Sequence, residues 1–466
     1  MTKVRSALYE AVATLLAALA TLICTRAIDA ETGPTVLAVV LCLSLSRSQL
    51  DRSLRGRIEA AVLLPLVSLA ALGVAMLLRR EPIAGAAAFT GAITASIWLR
   101  RFGPAGHKAG TLIALPFVVI LMTPYSPPQH VGPVLALALP TIVALLALFW
   151  VSVVHALGQK LGVLQAAPAR PPAPARAPST MRPLPSTRMA LQMGLALALS
   201  FAVGYGFFAE RWAWIVLTAF IVNSGSQGRL DVLYKGILRL AGAAAGTVIA
   251  LATAGLAADP LLSAALMLAA IFMAVWLRPL GYGWWALFIT LALALLQGET
   301  LLLGLRLEEI LIGALIGIGS AWSLLPLNST DVLRRRIADA LAALSEALDP
   351  ARAGRSGAPF AAGLDGIAKL APPFRALRLV TRRQRGTTVQ AADWIDELAA
   401  CREPALALIA RGEPAPGAVR KALGAARMAL REPPALGPAL GELSRVLSGA
   451  CAALPPNRSP SQHPRT

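Results

Sequence analysis

Two polar stretches interrupt apolar sequence at related places in the chain. LSLSRSQLD begins at Leu43 and IVNSGSQGRLD begins at Ile221, each after an unusually short apolar run. Backbone that leaves a helix in apolar surroundings needs hydrogen-bond partners in protein or in a water-filled cavity, and that need creates a polar pocket. We predict that six side chains of these stretches line a binding cavity: Ser44, Ser46, Asn223, Ser224, Ser226 and Gln227. The alternative is a pair of ordinary solvated loops.

Arginines near the ends of two apolar runs have the chemistry to bind an anion. Arg239 follows Lys235 by four residues, which puts both on one helical face, and its counterpart by order is Arg57, followed by Glu59. A guanidinium matches a carboxylate in a two-pronged geometry. We predict that Arg239 and Arg57 attract a carboxylate, the alternative being that they extend to anionic lipid headgroups.

Acidic residues close to these arginines are candidates for proton coupling. Asp231 and Asp51 are the nearest acids in sequence, and Glu10 lies in the first apolar run. Each is equally suited to an interfacial salt bridge. The four cysteines and four histidines show no ligand spacing, and no phosphate-binding glycine loop is present. We therefore expect no metal, no cofactor and no enzymatic activity.

The composition points to lipid as the surroundings of most of the chain. Of 466 residues, 56% are hydrophobic and 14% charged, and the mean hydropathy is +0.66, more apolar than a soluble domain requires. This predicts an all-α polytopic membrane protein with roughly twelve transmembrane helices. The apolar runs lie near 7–28, 33–46, 58–78, 82–99, 110–123, 133–155, 189–208, 212–224, 237–257, 260–277, 282–297 and 307–325.

The charge of +19 is distributed by topology. Basic residues concentrate in alternate connections between the apolar runs, and the intervening connections hold few. Because basic residues stay on the cytoplasmic side, this alternation predicts a multi-pass membrane protein with both termini in the cytoplasm. No nucleic-acid-binding motif accompanies the charge, so we expect no nucleic acid partner.

The sequence contains an internal repeat. WLRRFG begins at Trp98 and WLRPLG at Trp276, and TVLAVVLCLSLSRSQLDRSLRG from Thr35 aligns with IVLTAFIVNSGSQGRLDVLYKG from Ile215 at an offset of 180. Two matches in the same order at nearly the same offset indicate a duplication. Each half holds an even number of runs, so we predict two parallel six-helix repeats related by a pseudo-two-fold axis along the membrane normal.

We predict that WLRRFG and WLRPLG each form a helix end at the cytoplasmic surface. Trp would anchor at the interface and Gly would turn the chain. Arg100 and Arg278, which occupy equivalent positions, are our candidates for a cytoplasmic entrance that attracts an anion. Boundary anchoring alone is the alternative.

Composition also divides the chain into segments. We predict a first membrane repeat at 1–158, a Pro/Ala/Arg-rich cytoplasmic linker at 159–188 and a second membrane repeat at 189–326. Helically spaced apolar residues then predict a cytoplasmic bundle of about four or five amphipathic helices at 327–454, followed by a disordered tail at 455–466.

The second half resembles a known family. ERWAWIVLTAFIV, RLAGAAAGTVIAL, WLRPLGYGWWALFITLALAL and LEEILIGALIGIGSAWSLLP are similar to the fusaric acid resistance and aromatic acid exporter family. Arg239, Gly242, Gly246 and Thr247 match the family's Arg-x-x-Gly helix, and 308–317 its later counterpart. The first half reads as a diverged copy. Family members often carry a large cytoplasmic domain between the halves, where this chain has only the proline-rich linker.

The resemblance implies efflux of aromatic carboxylic acids or related toxic organic anions, driven by the proton motive force. It further implies a periplasmic adaptor and an outer-membrane channel as partners, besides the lipid bilayer and the organic-anion substrate; a homo-oligomer is compatible with the sequence. Two alternatives stay open. One is a passive anion channel similar to the plant malate channels, and the other is a non-transporting membrane scaffold whose tail binds a partner.

Overall fold

The computed structural model describes residues 2–28, 32–47, 54–122, 132–164, 185–208, 211–253, 260–297, 303–349, 355–385, 390–411 and 414–453. These residues form helices and no strand. The chain divides into an N-terminal unit, Met1–Pro326, and a C-terminal unit, Leu327–Thr466. Residues 165–184 of the proposed linker, the proposed tail and Asp51 lie outside the described residues.

The N-terminal unit contains twelve described helices, which we divide into two halves of six. The first half comprises α1 (Thr2–Ile28), α2 (Thr32–Arg47), α3 (Leu54–Arg80), α4 (Pro82–Trp98), α5 (Gly103–Met122) and α6 (Pro133–Lys160). The second half comprises α7 (Pro185–Phe207), α8 (Trp212–Asn223), α9 (Arg229–Ala252), α10 (Pro260–Leu277), α11 (Tyr282–Gln297) and α12 (Leu303–Ser323). Helix therefore extends into both ends of the 159–188 segment.

Length and hydropathy place eleven of these helices in two groups. Seven described segments are long and apolar enough to cross a membrane, and they lie in α1, α3, α4 with the turn that follows it, α6, α7, α9 and α10. Four described apolar segments are shorter: Gly33–Ser46 in α2, Ala105–Leu121 in α5, Trp212–Asn223 in α8 and Tyr282–Leu295 in α11. The prediction of an all-helical, polytopic membrane protein is confirmed, and the short helices hold the same places in both halves.

Many helix pairings of the first half have a counterpart in the second half, although the packing of α3 on α4 has none of comparable extent among the described residues. In the first half α1 packs on α2 and α6, α3 packs on α5 and α6, and α4 packs on α5. In the second half α7 packs on α8 and α12, α9 packs on α11 and α12, and α10 packs on α11. Between the halves α4 packs on α7, and α10 packs on α1. Exchanging the halves leaves these pairings unchanged.

Glycines permit the closest helix contacts of the second half. A Cβ added at Gly246 would lie 2.5 Å from the carbonyl oxygen of Leu287, so α9 approaches the backbone of α11. A Cβ added at Gly313 would lie 2.4 Å from the carbonyl oxygen of Ile215, so α12 approaches α8 in the same way. Small residues spaced by four positions allow this approach in membrane helices.

A buried ion pair joins the starts of α8 and α12. Glu309 is 2% exposed, and its Oε1 lies 3.1 Å from Nη1 of Arg211. The guanidinium of Arg306 stacks over the ring of Trp214 at 4.6 Å from the ring centroid. Because breaking such a pair would leave a buried charge uncompensated, these contacts hold the beginnings of both helices together.

The repeated six residues form the same corner twice. After α4, residues Leu99–Phe102 make a 3-10 turn that ends at Gly103 with φ +83°, a conformation that glycine adopts without strain. After α10, residues Arg278–Leu280 make a second 3-10 turn that ends at Gly281. The first corner packs on α7 and the second on α1, so both corners lie against equivalent helices.

The C-terminal unit contains more helices than the four or five expected. They are α13 (Ser329–Ala347), α14 (Ala358–Ala368), α15 (Ala371–Arg385), α16 (Ala391–Ala400), α17 (Arg402–Arg411), α18 (Gly417–Ala429) and α19 (Pro433–Ala452). The apolar-patterned segment ADWIDELAACREPALALIAR forms two helices that meet at Cys401, because Pro404 favours the first turn of a new helix. Within the unit α19 packs on α16, α17 and α18, and α13 packs on α14 and α18.

Gly313→Ala should destabilise the N-terminal unit, whereas Gly319→Ala in the same helix should not. The new methyl group at position 313 meets the α8 backbone, and such overpacking costs about 1–3 kcal/mol; a Cβ at position 319 meets nothing within 4 Å. Thermal unfolding of both variants in detergent measures the difference. An equal melting temperature for the two variants would contradict the close α8–α12 contact.

Candidate functional site

The four short helices surround a cavity of about 440 Å³ inside the N-terminal unit. Its volume falls in the range of small-molecule sites, and its walls are mostly apolar with a few polar groups, as in such sites. The wall residues that the argument uses come from α2 and α5 on one side and from α8, α9 and α11 on the other. They are Val40, Ser44, Thr111, Ala114, Leu115, Phe220, Ser224, Lys235, Tyr282, Trp285, Ala292 and Leu293, with Arg100 from the turn after α4.

Sequence-equivalent positions of the two halves meet in this cavity. Ser44 and Ser224 are related by the offset of 180 found between the polar stretches, and Val40 and Phe220 share the same offset. Ala114 pairs with Ala292 and Leu115 with Leu293 at the offset of 178 that relates the two corners. The cavity therefore lies where the two halves face each other.

The polar stretch after α8 hydrogen-bonds its own helix end. Asn223 Nδ2 donates to the carbonyl of Ala219 at 3.1 Å, and Ser226 Oγ donates to the carbonyl of Val222 at 2.8 Å. Gly225 and Gly228 take positive φ values of +64° and +134°, which allow the chain to turn back into α9. Asn223 and Ser226 are thus buried capping groups, and they are not among the described lining residues of the cavity.

Lys235 reaches from α9 into this turn. Its Nζ lies 2.9 Å from Asp231 Oδ2, 3.3 Å from Ser226 Oγ and 3.5 Å from the carbonyl oxygen of Ser224. An ammonium group has three N–H donors, so these three contacts occupy all of them. The backbone N–H of Gln227 also donates to Asp231 Oδ2, at 3.0 Å. Asp231 therefore neutralises Lys235 and fixes the turn.

Arg100 is the other charged group on the cavity wall among the residues described. Its Nε is shielded from solvent without a hydrogen-bond partner, and the described residues give its guanidinium no ion pair. An unpaired buried donor is costly, so this side chain offers its N–H groups to whatever occupies the cavity.

Aromatic rings concentrate on the second-half side of the cavity. Phe220, Tyr282 and Trp285 all line it, and the rings of Tyr282 and Trp285 stack with centroids 5.8 Å apart and planes inclined by 29°. Flat apolar rings on this wall and a guanidinium on the first-half side suit a ligand with an aromatic part and an anionic part.

A smaller polar cavity of about 70 Å³ adjoins the main one. It shares Ser44 and Trp285 with the main cavity and is also lined by Glu10, Ser46 and Arg278, together with Thr14, Leu43, His155 and Val275. The structure thus brings together Glu10 and Arg278, which lie far apart in sequence. His155 was missed by sequence reasoning, because a single histidine in an apolar run gives no pattern.

The two arginines proposed to bind a carboxylate lie elsewhere. Arg239 is 1% exposed, and its Nη1 lies 3.5 Å from Thr290 Oγ1 on α11; it does not belong to the described cavity wall. Arg57 is half-buried near the start of α3, and the following Glu59 pairs with Lys108 at 2.6 Å. A role for Arg239 or Arg57 in anion binding stays a prediction.

Of the residues predicted to line a cavity, Ser44 and Ser224 line the main one, and Ser44 and Ser46 line the smaller one. Sequence reasoning did not predict that Lys235, Thr111 and the aromatic side chains line the main cavity. The available signal was the stretch YGWW that follows WLRPLG, which begins α11 on the wall.

The helices, the cavity and the family comparison together support a membrane transporter-like role. The model of the family described as fusaric acid resistance protein-like matches residues 195–319, which confirms the resemblance over most of the second half. No curated protein and no solved structure matches the chain. The first-half wall with Arg100 lies outside the matched residues.

Ser224→Cys should react with a charged, water-soluble thiol reagent, whereas Thr218→Cys should stay protected. Ser224 directly follows α8 and faces the cavity. Thr218 lies within α8 and is 0% exposed, because it packs against α12. Labelling is measured by mass spectrometry in a background whose four native cysteines are replaced. Protection of position 224 would mean that the cavity is closed to water, and equal labelling of both positions would contradict the buried packing of Thr218 on α12.

Proposed function

We propose that this protein is an inner-membrane exporter of organic anions that carry an aromatic group, with aromatic carboxylic acids as the main substrates. The observation that carries the proposal is Arg100, whose guanidinium has no ion pair among the described residues and lines a mostly apolar cavity with three aromatic rings on its second-half wall. A carboxylate would take up the free donors of Arg100, and a ring would pack against Trp285 and Tyr282.

We infer that the two halves of the N-terminal unit are parallel repeats about a pseudo-two-fold axis through the cavity. Corresponding helix pairings, the shared positions of the short helices and the meeting of equivalent residues such as Ser44 and Ser224 support this. Sites at repeat interfaces are common in secondary transporters, where one repeat rocks against the other. This geometry gives the cavity a means of opening to either side in turn.

Export and proton coupling complete the proposal. The alternation of basic residues in the sequence supports cytoplasmic termini and hence an entrance on the cytoplasmic side. Glu10 supports coupling to protons, because it lines a polar cavity that shares Ser44 with the main one. A carboxylate next to the substrate cavity is well placed to exchange a proton as the substrate moves.

Arg100→Gln should reduce transport of benzoate, and Arg101→Gln should leave it unchanged. A hydrogen bond to a charged group contributes about 1.5–3 kcal/mol, so the first variant should lower transport at limiting substrate by about ten- to hundredfold. Arg101 is a matched control, because its guanidinium stacks over Trp98 at 5.0 Å and it is not part of the described cavity wall.

The measurement is the flux of benzoate in proteoliposomes that contain the native protein or a variant. A pH gradient and a membrane potential are imposed separately. Uphill movement under the pH gradient, reduced only by Arg100→Gln, supports the exporter. Downhill flux that follows voltage alone would indicate an anion channel, and the absence of flux for all aromatic acids would favour a scaffold.

A further inference from the structure

We propose that Asp231 sets the charge selectivity of the cavity by neutralising Lys235, so that the cavity accepts one carboxylate and disfavours two. The inference deepens the proposed function and rests on it, because it concerns the same cavity and the same class of anion. Nothing in the sequence distinguishes Lys235 from Arg100 as a ligand for an anion, and the difference between them comes from their contacts.

The first step is the inventory of charge. Among the described residues on the cavity wall, Arg100 and Lys235 are the charged ones. Lys235 is paired with Asp231 at 2.9 Å, whereas Arg100 has no ion pair among the described residues and a shielded Nε without a partner. The opposite charges of Lys235 and Asp231 cancel each other. The described wall is therefore left with the single positive charge of Arg100.

The second step concerns hydrogen-bond donors. All three N–H donors of Lys235 are occupied by Asp231, Ser226 and the carbonyl of Ser224. A carboxylate that bound to Lys235 would have to displace one of these acceptors inside a mostly apolar cavity. Arg100 requires no such exchange, so it is the group on which the first carboxylate docks.

The third step is the consequence for a second carboxylate. An ionised group that enters a mostly apolar cavity without a free cation loses its hydration and gains only neutral hydrogen-bond partners. A dicarboxylate therefore binds less well than a monocarboxylate on a similar ring. Removing the charge of Asp231 would turn Lys235 toward the cavity and supply the missing partner.

The experiment compares benzoate with phthalate, which carries a second carboxylate, by isothermal titration calorimetry on the full chain in lipid nanodiscs at neutral pH. The native protein should bind benzoate at least about tenfold more tightly than phthalate. Asp231→Asn should shift this ratio toward phthalate by about tenfold or more. Asparagine keeps an oxygen acceptor for the backbone N–H of Gln227, so the turn is conserved while the charge is lost.

Two further variants separate charge from structure. Adding Lys235→Gln to Asp231→Asn removes the released cation and should restore the native ratio. Asp331→Asn makes the same change of net charge at a residue paired with Arg334 in the C-terminal unit, and it should leave the ratio unchanged. The ratio of benzoate to phthalate affinity in the native protein tests the proposal without any variant. The proposal can therefore be contradicted even if a variant folds poorly.

Equal native affinity for the two probes, or a ratio that Asp231→Asn leaves unchanged, would overturn the inference even if benzoate is transported. Selective binding without uphill transport would overturn the exporter and leave the selectivity standing. Binding of neither probe would contradict both.

Discussion

The early end of α8, a helix too short to cross a bilayer alone, imposes the constraint on which the cavity depends. α8 has 12 residues and is about 18 Å long, against a hydrocarbon core of about 30 Å. Where such a helix ends, its carbonyl groups have no water and must find donors within the protein. Asn223, Ser226 and Lys235 supply these donors, so the polar lining follows from the early end of the helix.

The same constraint explains the unequal chemistry of the two cations. Lys235 is committed to the turn after α8, and Asp231 compensates its charge. Arg100 comes from a corner of the other half, and the described residues give it no ion pair. One half therefore contributes the free positive charge, and the other contributes the aromatic rings. A pseudo-symmetric framework can in this way bind an asymmetric molecule in one orientation.

Sequence reasoning reached the helical membrane fold and the two polar stretches, because hydropathy and short apolar runs are local signals. The offset of 180 aligns Ser44 with Ser224, and both line the main cavity. Sequence reasoning could not separate Ser224, which faces the cavity, from Ser226, whose hydroxyl donates to the carbonyl of Val222 four residues earlier. That difference depends on the direction of each side chain after the glycine turn. Sequence reasoning also could not show that Arg239 is buried beside Thr290 of α11, because this burial depends on the close packing of Gly242 and Gly246 on that helix.

The central claim is that an aromatic anion binds between the two halves with its carboxylate on Arg100. A cryo-electron microscopy structure in nanodiscs with bound 4-iodobenzoate tests it most directly, since iodine marks the ring and fixes its orientation. The account predicts density in the main cavity, with the carboxylate within hydrogen-bond distance of Arg100 and the iodinated ring against Trp285 and Tyr282. Density beside Arg239 or Arg57, with the main cavity empty, would contradict it.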